Sequence, residues 1–171
     1  MKITLLDFIK MGKFGTVQVG QSLENILDTF PLPDDIWDAD NDTYIWSYSV
    51  FEFHFISGQL TLLWCDNLSY LENPGKKQFE LDKWLLDEPN NMTFSYFCSL
   101  LDKEDIKYSL RGSFFTSEEQ KLPDNVILSV NGADTEIYFE DTEEKATSIS
   151  EYNLVAIGAT QFKPKYKVYP L

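Results

Sequence analysis

Apolar positions near the start of the chain recur at the spacing of a helix. Segments 3–11 and 23–30 both place apolar side chains three to four positions apart, which predicts two short amphipathic helices. Ser22 stands at the N-cap position of the second helix, and Pro31 ends it because a proline ring has no N–H to continue the hydrogen-bond ladder. Between these helices, residues 16–19 are too short for more than an edge strand or an extended lead-in.

From residue 44 the period of the pattern changes to two. Segments 44–50, 51–55 and 59–65 predict three strands of an antiparallel meander, with a tight turn at Ser57-Gly58. Tyr44, Trp46 and Tyr48 share one face of the first strand, and we expect that face to lie on the core.

The second half of the chain shows the same order of patterns. Thr93 precedes a helical pattern at 94–101, and Asn131-Gly132 is a typical hairpin turn. Strands are predicted on both sides of that turn, at 106–110, 126–130, 135–139 and 154–159. Residues 80–86 fit either a strand or a short helix.

These elements predict an α+β fold in which antiparallel β meanders pack against two main helices. The order helix, meander, linker, helix, meander fits a single domain over 1–171. It also fits two pseudo-repeat halves, 1–72 and 91–171, joined by 73–90.

Composition narrows the classes of partner. The chain has 171 residues, of which 43% are hydrophobic and 15% aromatic, and this excludes an acidic disordered tail. It carries 28 acidic and 14 basic side chains, a formal charge of -14. Nucleic acids and anionic membranes bind proteins through Lys and Arg, so we expect neither as a direct partner.

The sequence indicates a cytoplasmic protein. Asp7 and Lys10 interrupt the first apolar run, which is not typical of a signal peptide, and no apolar stretch is long enough to span a bilayer. Cys65 and Cys98 both have apolar neighbours, so we expect two reduced thiols.

The sequence predicts no catalytic group, cofactor or metal site. The one histidine, His54, is expected beside Glu52 on the strand face opposite Phe53, and no nucleophile motif or phosphate-binding glycine loop accompanies it. Asp38-x-Asp40-x-Asp42 has the alternating carboxylates of a calcium loop. The pattern then fails, because a calcium loop needs glycine and glutamate where Thr43 and Ser49 stand.

A set of structural motifs resembles a known family. The motifs are Gly15-x-Val17-x-Val19-Gly20-x-Ser22-x-Glu24-x-Ile26, Pro31-x-Pro33-Asp34-Asp35, Trp46-x-Tyr48, Phe51-Glu52-Phe53-x-Phe55 and Gly58-x-Leu60. They resemble a widespread family of small bacterial proteins, many of which look like immunity proteins of polymorphic-toxin or contact-dependent-inhibition clusters. The helix-then-meander plan is also similar to the β-lactamase-inhibitor-protein and outer-membrane-assembly-lipoprotein folds. The resemblance implies a cytoplasmic protein that neutralises a toxin.

The acidic residues are clustered in the sequence. Residues 28–42 and residues 134–144 each hold six acids and no base. The first cluster lies on a predicted loop, 34–42, around Trp37, which either anchors a partner or packs back onto the core. The candidate partner-binding residues are Asp34, Asp35, Trp37, Asp38, Asp40 and Asp42.

Our hypothesis is a non-enzymatic, immunity-like protein that binds a cognate, basic protein toxin such as a nuclease. An acidic surface would steer it to the basic groove of such a toxin. Two alternatives stay open: a small-ligand-binding protein or enzyme with a pocket between the halves, and an assembly adaptor.

Overall fold

Three α-helices form in the computed structural model, which describes residues 1–71, 79–84, 92–113, 122–162 and 168–170. They are α1 (Leu5–Met11), α2 (Leu23–Thr29) and α3 (Phe94–Lys103). The predicted caps of α2 and α3 are confirmed, because the Ser22 and Thr93 hydroxyls accept hydrogen bonds from the N–H groups three residues later. Among the described residues, no helix is long and apolar enough to cross a membrane.

The helix predicted over residues 3–11 begins two residues later than expected. The Thr4 hydroxyl accepts a hydrogen bond from the Asp7 N–H at 2.9 Å and so caps α1 at Leu5. The residues before the cap are extended and form a short strand. The helical spacing of apolar residues therefore extends upstream of the first helical residue, Leu5, into this strand.

Thirteen strands lie in the described part of the chain. They are β1 (Lys2–Thr4), β2 (Lys13–Phe14), β3 (Val17–Gln18), β4 (Asp35–Asp38), β5 (Thr43–Tyr48), β6 (Phe51–Ile56), β7 (Gln59–Cys65), β8 (Glu80–Asp82), β9 (Tyr108–Ser113), β10 (Asn125–Val130), β11 (Thr135–Glu140), β12 (Asn153–Thr160) and β13 (Val168–Pro170). Nine of them form one antiparallel sheet in the order β13-β9-β10-β11-β12-β7-β6-β5-β4. β2 pairs with β3, and β1 pairs in parallel with β8.

The α+β prediction with antiparallel meanders packed on helices is confirmed. In chain order, α2 is followed by the meander β4 to β7, and α3 by the meander β9 to β12. The last strands of the two meanders, β7 and β12, pair with each other and make one continuous sheet. We call this β7–β12 ladder the seam. The division into two pseudo-repeat halves stays a prediction, and residues 73–78 and 85–90 of the predicted linker lie outside the described residues.

The helices pack on one face of the sheet, which we call the core face. Phe8 of α1 contacts Phe51 of β6, with ring centroids 6.4 Å apart, and Phe97 of α3 contacts Phe139 of β11 at 5.5 Å. Trp46 and Tyr48 are buried there as expected, while Tyr44 is half-buried. The aromatic residues on this face of the period-two strands are therefore part of the core.

The opposite face of the sheet carries polar and aromatic side chains. We call it the open face. Cross-strand partners and strict alternation place these side chains on it: Asp35, Trp37, Ile45, Ser47, Glu52, His54, Leu62, Trp64, Arg111, Ser129, Glu136 and Tyr138. His54 lies beside Glu52 on this face, as the alternation predicted.

The prediction of a loop over residues 34–42 is wrong for its first half, which forms the edge strand β4. The Asp34 N–H donates to the Ser47 carbonyl at 2.8 Å, and the Ala39 N–H donates to the Thr43 carbonyl at 2.9 Å. Aspartate is depleted in strands, so its density favoured a loop. An edge strand exposed along its whole length, like β4, keeps its carboxylates in water.

Smaller boundary differences have local causes. The strand predicted at 106–110 is β9 at Tyr108–Ser113, because the Ile106 N–H still bonds the Leu101 carbonyl of α3. Val50 lies beyond β5, since Ser49 turns the chain at a φ of 58°. Residues 80–82 are a strand, which removes the helical alternative for the described part of 80–86.

Candidate functional site

The acidic candidate residues lie at one end of the large sheet. Asp35, Trp37 and Asp38 belong to the edge strand β4, and Asp34 directly precedes it. Asp40 and Asp42 lie in the turn that leads to β5. The structure therefore brings all six candidates into one segment at the edge of the sheet.

Trp37 is exposed, with 65% of its surface accessible to solvent. The alternative that it packs back onto the core is therefore wrong. Trp37 lies opposite Ile45, and Asp35 lies opposite Ser47, so both point to the open face. Asp38 and Ile36 point to the other side of β4. Only Asp35 and Trp37 of the six candidates thus share a surface with the centre of the open face.

Three of the carboxylates also shape the backbone of this segment. Asp34 Oδ2 accepts a hydrogen bond from the Ser49 N–H at 2.9 Å. Asp35 Oδ1 accepts one from the Ile36 N–H at 2.9 Å, and Asp38 Oδ1 accepts one from the Asp40 N–H at 3.1 Å. The Asp35 carboxylate thereby occupies an N–H at the edge of the sheet, which makes strand addition at β4 less favourable.

The backbone conformation of the turn after β4 explains why Asp and Asn residues occupy it. Asp40, Asn41 and Asp42 have φ values of 66°, 52° and 57°, a left-handed run that Asp and Asn adopt more readily than other side chains. In the described part of the chain, no three His, Cys, Asp or Glu side chains come together as metal ligands.

The centre of the open face is aromatic, and sequence reasoning missed it. Trp64 of β7 lies against Gly158 of β12, where an added Cβ would be only 2.6 Å from Trp64 Cε3. The Trp64 and Tyr138 rings then pack edge-to-face, with centroids 5.1 Å apart. The available signal was a glycine inside a period-two strand, which marks close approach of a neighbour.

A histidine–carboxylate hydrogen bond and an ion pair flank these aromatic rings. Glu52 Oε2 is 2.8 Å from His54 Nε2, and Glu136 Oε1 is 2.6 Å from Arg111 Nη2. The Tyr138 hydroxyl donates to the second oxygen of Glu136 at 2.7 Å. Arg111 is therefore engaged within the face, and its charge is compensated by Glu136.

The two cysteines are free thiols. Burial raises the pKa of Cys65 to about 12, and burial also raises the pKa of Cys98. A thiol with a raised pKa is a poor nucleophile, because the thiolate is the reactive form. Neither cysteine therefore has the environment of a catalytic nucleophile.

Two hollows lie where the seam between the meanders ends. One, of about 460 Å³, is lined by Trp64, Asp66, Asn67, Tyr138, Glu140 and Ala156, together with Val155. The other, of about 520 Å³, shares Asp66 and Val155 with the first. The hollows thus meet at the end of β7, and together they form an acidic groove beside the aromatic centre.

Searches against protein-family models, curated proteins and solved structures find no match to the chain. The function proposed below therefore rests on the residues of the open face.

Proposed function

We propose that this chain is a non-enzymatic, immunity-like protein that binds and neutralises a basic protein toxin in the cytoplasm. The open face is the binding surface, and it includes the side chains of β4 that point to this face, Asp35 and Trp37. This proposal joins the predicted acidic segment to the aromatic centre, because Asp35, Trp37 and Trp64 all lie on the same face.

The chemistry of the open face carries the proposal. Within the eight described strands β4–β7 and β9–β12, Arg111 is the one Lys or Arg residue, and it is paired with Glu136. Aromatic side chains are enriched in protein interfaces and lysine is depleted, and the tryptophans and the absence of lysine on these strands agree with this. Trp37 and Trp64 are the residue type that most often dominates binding energy.

The dimensions of the face match those of a protein interface. Eight neighbouring strands at ~4.8 Å spacing span about 34 Å, and a strand of six residues extends about 20 Å, although β4 has only four residues. A standard interface buries about 800 Å² on each partner, which is of the same order as this area. The face is therefore large enough to cover the groove of a protein partner.

The net charge of the chain indicates the sign of the net charge expected for its partner. A protein of charge -14 repels other acidic proteins and attracts basic ones over the distance at which charges act in solution. The complex should therefore form faster at low ionic strength. Nuclease toxins fit this requirement because their grooves must hold phosphate.

Co-expression with the toxin encoded by the neighbouring gene tests the proposal. We expect a stable complex and rescue of growth. Trp37→Ala should weaken the complex by about 30-fold, the effect of a hot-spot aromatic. Tyr96→Ala is the matched control, because Tyr96 is a half-exposed aromatic on α3, away from the open face.

The possible results separate the functional classes. Absence of a complex together with absence of growth rescue would refute toxin neutralisation. An assembly adaptor would form a complex with a partner that has no toxic activity. Loss of binding in Tyr96→Ala with full binding in Trp37→Ala would place the interface on the helices and refute the open face as the surface.

A further inference from the structure

The first seam hollow combines aromatic walls with carboxylates. Trp64 and Tyr138 form its aromatic wall, and the small, buried Ala156 lies opposite Tyr138 on the neighbouring strand. Asp66 follows β7 directly, and Glu140 ends β11. Two flat rings and two carboxylates therefore surround a volume of about 460 Å³.

Packing positions the two rings of this hollow, and a hydrogen bond restrains each of its two carboxylates. Gly158 allows the Trp64 ring to lie across β12, and the Tyr138 ring packs against it in an edge-to-face contact. The Asn67 side-chain amide donates to Asp66 at 3.0 Å, and the Asn125 amide donates to Glu140 at 2.6 Å. Contacts that exist before binding reduce the ordering that a partner must induce.

We propose that this hollow binds one arginine side chain of the partner protein. Its guanidinium group stacks on one of the Trp64 and Tyr138 rings, whose planes stand at 70° to each other, and pairs with Asp66 and Glu140. This assignment rests on the proposed function, and it specifies the chemistry of the partner at one position. The hollow is thus the specificity pocket of the open face.

Arginine fits this chemistry better than lysine. A guanidinium group is planar, stacks on aromatic rings and presents several donors to carboxylates at the same time. A lysine ammonium is a compact, strongly hydrated charge that gains less from a flat wall. The pocket should therefore prefer arginine over lysine and reject a neutral side chain of the same shape.

The second hollow gives the partner chain a path beyond the pocket. It shares Asp66 with the first and adds Glu143, Thr93 and Asn153 as polar lining. A backbone segment that inserts an arginine into the first hollow continues here along polar groups. The two hollows together thus accept a short basic loop.

Titration of the intact ¹⁵N-labelled protein with N-acetyl-arginine amide tests the assignment. We expect saturable NMR shifts of the Trp64 indole N–H and of the Asp66 and Asn67 amides. N-acetyl-lysine amide should bind at least threefold more weakly. N-acetyl-citrulline amide, which is neutral and has nearly the same shape, should cause no saturable shift.

A double substitution of the carboxylates supplies the matched variant. Asp66→Asn with Glu140→Gln should weaken binding of the arginine amide at least tenfold. The control is Glu24→Gln with Asp28→Asn on α2, which removes the same charge from a helix on the core-face side of the sheet. Equal shifts with arginine and citrulline amides, or equal weakening in both double variants, would overturn the pocket.

The two proposals fail in different ways. If the arginine amide binds at Trp64 but the toxin forms no complex, the pocket stands and toxin neutralisation is refuted. If the toxin binds the open face and the arginine amide does not bind, the pocket is refuted and the open face stands as the interface.

Discussion

Replacing Gly158 by alanine should displace Trp64 and destabilise the seam between the meanders. The added Cβ would lie 2.6 Å from Trp64 Cε3 and 3.0 Å from the Leu63 carbonyl oxygen. Carbon atoms in contact normally lie ~3.5 to 4.0 Å apart, so the indole must move by about 1 Å. Overpacking of this kind costs about 1–3 kcal/mol.

Urea unfolding measures this cost. For a protein with an m-value of ~2 kcal/mol/M, a loss of about 2 kcal/mol lowers the unfolding midpoint by about 1 M. The near-ultraviolet circular dichroism of the folded variant should also change, because the Trp64 ring no longer lies against β12. A midpoint equal to that of the parent protein would contradict the packing of Trp64 on Gly158.

A double-mutant cycle identifies the atom that clashes. Trp64→Leu removes the indole ring carbons that the added Cβ of residue 158 would meet. In that background, Gly158→Ala should therefore cost at least 1 kcal/mol less than in the parent protein. Gly132→Ala is the control, because its cost arises from a φ of 84° and no atom lies within 4 Å of its added Cβ. An equal cost of Gly158→Ala in both backgrounds would show that Trp64 is not the obstacle.

Three further predictions concern the helix cap, a buried hydroxyl and alkaline pH. Ser22→Ala removes the acceptor of the Asn25 N–H and should lower the free energy of unfolding, measured in urea, by about 1 kcal/mol. The control is Ser69→Ala, which changes an exposed serine in a short turn and should alter the free energy of unfolding by less than about 0.5 kcal/mol. Tyr48→Phe leaves the Pro31 carbonyl without its 2.8 Å donor and should cost about 1–2 kcal/mol, and an unchanged thermal midpoint would contradict this bond. Burial raises the pKa of Cys65 from 9.0 in the unfolded chain to about 12, so the unfolded state loses its proton first and stability should fall between these pH values. Cys65→Ala should flatten that pH dependence, whereas an unchanged slope would show that the thiol does not titrate differently on folding.

Local signals in the sequence predicted the elements that local interactions form. Ser22 and Thr93 cap helices through hydrogen bonds that span three residues, so a short segment contains the whole cause. The alternating strands were predictable because one face of the sheet is buried and the other is not. The start of β9 and the end of β5 differ from the prediction because a helix end and a turn occupy the adjacent residues.

Elements that depend on distant partners were not predictable in the same way. β4 exists because it pairs with β5, and its aspartates on their own favour a loop. The parallel pair of β1 and β8 joins Lys2 to Glu80, and the sequence around either residue contains no signal that predicts this pairing.

The same difference between local and distant interactions decides which residues of the candidate site the sequence could predict. The acidic segment is contiguous in sequence, so the sequence alone could propose all six residues as candidates. Trp64 and Tyr138 come from strands of different meanders, and their contact depends on pairing across the seam. Gly158 carried the one local indication, because a glycine in a strand implies a neighbour at short distance.

The seam has a consequence for the order in which the chain folds. Hairpin turns in the two meanders join strands that are adjacent in sequence, whereas Cys65 pairs with Ile157 across a loop of about 90 residues. Closing this loop costs about 2 kcal/mol more chain entropy than closing one of ten residues. The meanders should therefore form before they join, so Phe53 should show a high φ-value and Ala159 a low one. The open face would then be the last surface completed, since its aromatic centre exists only after β7 and β12 have met.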